Sequence, residues 1–391
     1  MNNKLYNVIC YAYNNSPYYR KKFDENGINV NKKIKIEDIP ILEKKDIIEK
    51  NNEILSSINK NMERKNLKIF KTSGTTGICT NIYWQVEDII RSNKLMWKFR
   101  IKEYNIYPKD KYCSLFNSNY NGNRFMELDK KIIINKNNMM FCSLYDDGES
   151  YKLYYENIIL FSPKWLFIHK SFILKLIDYI RQNNLHVPNS IEYIELTGEP
   201  SAKNEIDFIK SIFTNCKIVD MYGMTEVNTI AYRKEEDLFF KINYDNVFIE
   251  VININNNIGE LLVTSLTNYA FPLIRYRTND FVEVDSNNNI IRILGREQRS
   301  QTNFKEYIIS YCINRVNSII GNNITFYKVI IESKKNITIK FYEKEKMFWK
   351  QEFETKLKEY LTKFYQNLKI NFKYSNEINE FNKKGKYSIF E

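Results

Sequence analysis

Glycine and proline are scarce in this chain of 391 residues, which has 11 of the first and 7 of the second. Histidine is scarcer, at two residues, and the six cysteines are scattered with no C-x-x-C pair. So few imidazoles and no paired thiols leave a zinc centre short of ligands. Scattered thiols in a chain of this size suit a reducing compartment. There is no N-terminal apolar segment of signal-peptide type and no run of eighteen apolar residues. The expectation is therefore a cytoplasmic protein with no membrane partner.

Hydrophobic residues make up 43% of the chain, a normal globular share, and the length suggests roughly two or three domains. The formal charge is +12, and residues 296–391 contribute +8 of it, from 19 Lys/Arg against 11 Asp/Glu. A basic end module suits nucleic acid, a membrane surface, a nucleotide-bearing cosubstrate or an acidic carrier protein. Lysine-rich composition also writes an ordinary solvated surface, so charge alone gives no reason to expect nucleic acid.

Leu5, Val8, Ile9 and Ala12 recur at helical spacing, and Pro40 followed by E-K-K-D predicts a second short helix. From about residue 67, short apolar runs alternate with longer helical segments, which predicts α/β layers. Ser162-Pro163 has the form of a helix start, followed by the stripe Leu166, Ile173, Leu176, Ile177 and Ile180, with His169 on it as a packed histidine. Residues 237–294 read as short strands with polar turns at Asn255–Asn257 and Asp285–Asn289. The end of the chain reads helix (306–319), hairpin (324–332 and 337–343), helix (347–367) and strand (369–373).

Seven of the glycines fall in six short motifs: T-S-G-T-T-G, L-T-G-E-P, Y-G-M-T-E, G-E-L, G-R and G-K. The first, Thr72, Ser73, Gly74, Thr75, Thr76 and Gly77, packs four hydroxyls and two glycines into six residues. Such a loop cradles phosphate oxygens or is simply a turn; it lacks the G-K-[ST] ending of a Walker loop. Each of the first three motifs follows a predicted strand, and ligands of open α/β sheets sit at the carboxyl ends of strands. Tyr222, Gly223, Met224, Thr225 and Glu226 place an aromatic face, a hydroxyl and a carboxylate within five residues. That set suits a purine, a phosphate and Mg²⁺, or equally the end of a strand with a buried tyrosine. In R-Y-R-T-N-D the terminal Asp280 suits ribose hydroxyls, while Arg275 and Arg277 read equally as an ordinary strand's exposed cations. Lys384-Gly385-Lys386 offers an ammonium on a flexible loop, or a solvated tail.

Together these motifs resemble the adenylate-forming superfamily of acyl-CoA synthetases and adenylation domains. Within it they are most similar to the phenylacetate–CoA ligase branch with its capsule-biosynthesis relatives, on S-P-Y-Y-R-K-K-F at Ser16–Phe23, D-I-P-I-L-E-K-K-D at Asp38–Asp46, G-E-L-L-V-T-S-L at Gly259–Leu266 and P-L-I-R-Y-R-T-N-D at Pro272–Asp280. The resemblance spans nearly the whole chain. It implies an α/β fold with a large N-terminal domain (1–296) of layered α/β subdomains and a β-rich subdomain. A small mobile α+β C-terminal domain (297–391) would carry the catalytic lysine.

It also implies an ATP-dependent ligase that forms an acyl-adenylate and then a thioester with CoA or with the phosphopantetheine of an acidic carrier protein. Transfer to an amine, hydroxyl or protein side chain is the alternative, as is a nucleotide-binding descendant without turnover. By the same resemblance Thr72–Gly77 hold the β/γ-phosphates, Gly198, Glu199 and Pro200 border adenine, and Tyr222 stacks on it, with Gly223 and Met224 beside it. Thr225 contacts the α-phosphate, Glu226 binds Mg²⁺, Asp280 and Arg296 hold the ribose, Gln298 is the hinge and Lys386 steadies charge during adenylation. Phe116, Asn117, Tyr120 and Asn121 line the acyl pocket for a small carboxylic acid; a homodimer is open. Five features depart from the pattern. Ile78 and Cys79 follow the first motif, Asn279 stands at a frequent glycine, and Leu115–Phe125 is rich in asparagine where aryl-activating relatives are rich in glycine. Gln298 stands where the hinge usually carries an acidic residue, and the C-terminal domain reads as trimmed, these last two bearing on the second half-reaction.

Overall fold

The computed structural model describes residues 3–57, 67–72, 80–116, 131–143, 145, 147–296, 304–320, 327–342 and 350–376. The chain divides into two compact units. The first comprises Met1–Asn105, Met221–Tyr232 and Leu238–Ile291; the second comprises Ile106–Asp220, Arg233–Asp237 and Arg292–Glu391.

The first unit opens with the helix Asn3–Asn15, which buries Leu5, Val8, Ile9 and Ala12, the stripe its sequence spacing predicts. A second helix, Pro17–Glu25, has proline in its first turn, where no amide donor is needed. The E-K-K-D segment forms the short helix Lys44–Glu49, and the Asp46 carboxylate accepts from the Glu43 amide at 3.0 Å.

Leu67–Lys71 is a strand, but it pairs only with Asn81–Gln85, in a two-stranded antiparallel ribbon. The α/β expectation placed it in the layered sheet. A parallel strand needs both faces covered, whereas every residue of Leu67–Lys71 is exposed or half-exposed. Its partner alternates, burying only Ile82 and Trp84.

Three further strands, Val247–Asn255, Ile258–Ser265 and Tyr276–Val284, pair in antiparallel order, and the middle one is buried along its whole length. Asn256 and Asn257 join the first two, with φ of 50° and 64°, so a two-residue turn usually built with glycine is built with asparagine. The habit is general: among the described residues, nine of the eleven non-glycine positions with positive φ are asparagine. Gly259 follows that turn for a different reason, since a Cβ there would lie 2.3 Å from Val251 Cγ1.

In the second unit the strands lie in the order Tyr193–Thr197, Trp165–Ile168, Tyr112–Phe116, Asn138–Cys142 and Ile132–Ile134. The strand Lys217–Met224, which belongs to this unit as far as Asp220, lies beside Tyr193–Thr197. The three strands Tyr193–Thr197, Trp165–Ile168 and Tyr112–Phe116 run parallel, as does Asn138–Cys142, and Ile132–Ile134 closes the edge antiparallel. Helices Gly148–Phe161, Lys170–Gln182 and Lys203–Ile212 connect them. Leu166, Ile168, Ile173, Ile177, Ile194 and Ile209 are fully or almost fully buried in the shared core.

The helix expected from Ser162-Pro163 is not there. Ser162 instead ends the preceding helix in the left-handed conformation (φ 52°), and Trp165–Ile168 is a strand. A serine before a proline reads equally as a start and as a stop, because proline also follows helix ends. The following helix begins at Lys170, with His169 at its N-cap position.

The last stretch of this unit follows the sequence expectation: helix Glu306–Ile320, hairpin Tyr327–Ser333 and Asn336–Tyr342, helix Lys350–Thr362, and strand Lys369–Ser375. That final strand pairs parallel to Asn336–Tyr342.

Candidate active site

In the first unit, R-Y-R-T-N-D folds as a bulge. Between the pairs Leu262↔Arg277 and Glu260↔Phe281 the strand Tyr276–Val284 carries extra residues. Asn279 takes φ 59° there, the left-handed geometry that its side chain tolerates, and the Asp280 amide donates to Thr278 Oγ1 at 3.0 Å. The Thr278 hydroxyl in turn donates to the Leu261 carbonyl at 2.8 Å. This re-aimed Asp280 accepts a hydrogen bond from the Tyr222 hydroxyl at 2.5 Å.

Tyr222, Gly223 and Met224 are the end of the strand Lys217–Met224, so the third motif begins inside a strand rather than after one. A Cβ on Gly223 would stand 2.8 Å from the Asn228 carbonyl, so this turn admits only glycine without rearrangement. Past it Thr225 is exposed, whereas Glu226 is buried and accepts from the Tyr276 hydroxyl at 3.4 Å. Among the described residues no group of three His, Cys, Asp or Glu stands ready for a metal. One carboxylate, Glu226, fits only an ion that brings most of its ligands with it.

Of the first motif, Thr72 is described. It is buried, and its Oγ1 accepts from the Thr80 amide at 3.1 Å. Ser73, Gly74, Thr75, Thr76, Gly77, Asn117, Tyr120, Asn121, Gln298 and Lys386 lie outside the described residues, as does the Phe116 side chain.

Arg275 and Arg277 are not exposed cations. Arg275 is buried, with φ 50°; its guanidinium donates to both Glu250 oxygens at 3.1 Å and to the Glu37 and Ile39 carbonyls at 3.0 and 2.5 Å. Four bonds hold a backbone conformation that a non-glycine residue rarely adopts. Arg277 is half-buried between Glu43 and Glu260.

In the second unit, L-T-G-E-P ends the strand Tyr193–Thr197. Gly198 has φ 77°, and a Cβ on it would meet the His169 ring at 2.9 Å. The Glu199 carboxylate accepts from the Ser171 amide at 2.9 Å and its hydroxyl at 2.8 Å, at the start of the helix Lys170–Gln182. Burial pulls its pKa up, but the charges of His169 and Lys170 and the Ser171 bonds outweigh it and hold Glu199 below the usual carboxylate value.

Around this loop lie charges that motif reading missed. Lys170 Nζ donates to the Pro200 carbonyl at 2.8 Å and lies 2.9 and 3.0 Å from the two Glu205 oxygens. Arg233 donates to the Ser201 carbonyl at 2.7 Å and to Asp220 at 2.9 Å. The available signal was charge inside an apolar run: Lys170, Lys175 and Asp178 all belong to a helix that is buried almost throughout. Arg296 ends the strand Ile290–Arg296, half-buried, and Gly295 before it has φ 103° beside the Glu306 side chain.

No protein-family model matches the chain. Protein CapK of Staphylococcus aureus is 26% identical over 299 residues; the match covers 73% of this chain and 62% of the length of that relative. A 2-hydroxyisobutyryl-CoA ligase, solved in the postadenylation state in complex with R3-HIB-AMP, superposes with TM-score 0.71 at 15% identity over 99% of this chain and 87% of its own. The same ligase with 2-HIB-AMP and CoA in the thioesterification state gives TM-score 0.58 at 16% identity, over 99% and 87%. No helix among the described residues is long and apolar enough to cross a membrane. The chain thus has the fold of the adenylate-forming acyl-CoA ligases.

Proposed function

We propose that this protein is an ATP-dependent ligase that activates a small carboxylic acid as its adenylate and passes the acyl group to a thiol. The observation that carries the reading is the bulge at Thr278–Asp280, which turns Asp280 toward Tyr222 of the Y-G-M-T-E motif. A carboxylate steadied beside an aromatic ring suits a nucleoside, the ring against the base and the carboxylate on the ribose hydroxyls.

In the first half-reaction a carboxylate oxygen attacks the α-phosphorus of ATP and the bond to the bridging oxygen breaks, releasing pyrophosphate. In the second, the thiolate attacks the acyl carbonyl and AMP leaves. Thr225, exposed at the turn, donates to the α-phosphate. Thr72–Gly77 hold the β/γ-phosphates, Gly198–Pro200 border adenine, Asp280 holds the ribose, and Arg296 is likewise a ribose ligand. Glu226 would hold a magnesium ion, which would supply charge neutralisation at the phosphates. Lys386, on the 297–391 domain, steadies the charge that develops on phosphate and carboxylate, and Gln298 is the hinge on which that domain turns.

Phe116, Asn117, Tyr120 and Asn121 line the acyl pocket, and their amides favour a polar acid over an apolar aryl one. CoA is the proposed acceptor, supported by the CoA complex of the ligase of like fold. The basic end module equally suits an acidic carrier protein. Cytoplasmic location completes the reading, with the oligomeric state left open.

The test is pyrophosphate release from ATP and Mg²⁺ with a panel of hydroxy, amino, aryl and short fatty acids, using hydroxylamine to recycle the enzyme. Turnover with one class supports the reading and names the substrate. A chain that binds no ATP overturns it.

A further inference from the structure

The loop Gly198–Ala202 is held more heavily than a turn requires. Three consecutive residues are each tied through the backbone to a different buried charge: the Pro200 carbonyl to Lys170, the Ser201 carbonyl to Arg233, and the Ala202 amide to Glu205 at 2.7 Å. Each charge has an opposite partner, Lys170 with Glu205 and Arg233 with Asp220. The Lys170, Glu205, Arg233 and Asp220 side chains are 9%, 5%, 2% and 5% exposed. Glu199 adds a second tie at the loop's other end, through Ser171.

Burying ion pairs is a poor way to gain stability, because removing charges from water offsets most of their attraction, and apolar replacements often do as well. Such pairs do define geometry: a guanidinium or ammonium that bonds a carbonyl and a carboxylate at once leaves that carbonyl one place to be. Asp220, the partner of Arg233, stands two residues before Tyr222 in the chain.

We propose that Lys170 and Arg233 are positioning residues that hold Gly198–Ala202 in the one conformation able to select adenine over other nucleobases; this rests on the ATP-ligase reading above. A base is told from another by hydrogen-bonding groups at fixed points. Freeing the loop removes discrimination before it removes phosphate binding, which depends on other segments.

The experiment compares wild type with two charge-neutral pair variants, Lys170→Met/Glu205→Gln and Arg233→Met/Asp220→Asn. Each is measured for thermal melting and for ATP and GTP affinity by calorimetric titration. Wild type is expected to prefer ATP. Each pair variant is expected to melt within a few degrees of wild type and to lose at least about tenfold of the ATP/GTP preference (a fold-change equivalent to about 1.4 kcal/mol). Unchanged preference in folded pair variants overturns the positioning role and leaves the ligase reading standing. A wild type that binds neither nucleotide overturns both. Where a pair variant fails to fold, Arg233→Lys gives the same comparison, since it keeps the charge but not the fork that reaches Ser201 and Asp220 together.

Discussion

The Tyr222 hydroxyl donates to Asp280 Oδ2 at 2.5 Å across 58 residues of sequence, joining two motifs. The phenol occupies one lone pair of the carboxylate and steadies its rotamer, so Asp280 is pre-set for the remaining bonds.

Removing that hydroxyl is expected to weaken the ribose contact without abolishing it. Tyr222→Phe keeps the ring and should reduce ATP affinity by about 0.5–1.5 kcal/mol. Asp280→Ala should cost more, about 1.5–3 kcal/mol for each charge-assisted bond lost. Titration with 2′,3′-dideoxy-ATP separates the causes: Tyr222→Phe should then bind like wild type, because the hydroxyls that Asp280 would read are gone. Equal losses with both nucleotides would remove Asp280 from the ribose.

Lys386→Ala is expected to slow adenylate formation by orders of magnitude while leaving thioester formation from supplied acyl-AMP largely intact. Single-turnover measurement of each half-reaction checks it. Near-normal adenylation would take Lys386 out of the first half-reaction.

At Gly198 two penalties coincide: φ of 77°, and the His169 ring 2.9 Å from where a Cβ would stand. Gly198→Ala is expected to destabilise the protein by about 1–3 kcal/mol from the backbone conformation alone, and further from the contact. Denaturant unfolding of Gly198→Ala, His169→Ala and the double variant should show partial rescue, since deleting the ring relieves the contact and not the torsion. Strict additivity would mean that the ring does not bear on Gly198.

Burial pushes the Asp220 carboxyl up to about 6, against the opposing pull of Arg233 and Lys170 and with some help from Glu205. A carboxyl that binds its proton more tightly when folded contributes stability fully below its unfolded value near 3.8, and loses it as pH rises to about 6. Glu205, also raised by burial, has the same sign; Glu199, held low, has the opposite one. Asp220→Asn should therefore gain on wild type between pH 4 and 6, by at most about 3 kcal/mol, in urea midpoints taken across that range. A difference independent of pH would show that Asp220 titrates normally.

Much of this was legible in the sequence, where local chemistry and structure agree. The stripe Leu5, Val8, Ile9 and Ala12 is buried as its spacing requires, and Asn279 takes the left-handed angle that a frequent family glycine would take. The order of elements after Glu306 follows from periodicity alone. What was hidden depends on distant partners. Nothing local tells whether Leu67–Lys71 joins a broad sheet or a ribbon, or whether Ser162 starts or stops a helix. Lys170, Glu205, Asp220 and Arg233 are common surface residue types whose burial is decided by each other, 13 to 35 positions apart.

Because asparagine fills most of the left-handed turns among the described residues, glycine at Gly223 and Gly259 reports proximity rather than torsion. At Asn105 or Asn257, reversion to glycine would alter little beyond chain entropy. At Gly223 and Gly259 no such exchange is open, since a Cβ would strike the Asn228 carbonyl or the Val251 side chain. Gly223 and Gly259 thus mark two places where a neighbouring segment runs too close for any side chain. In a protein so sparing of them, each works as a molecular feeler gauge.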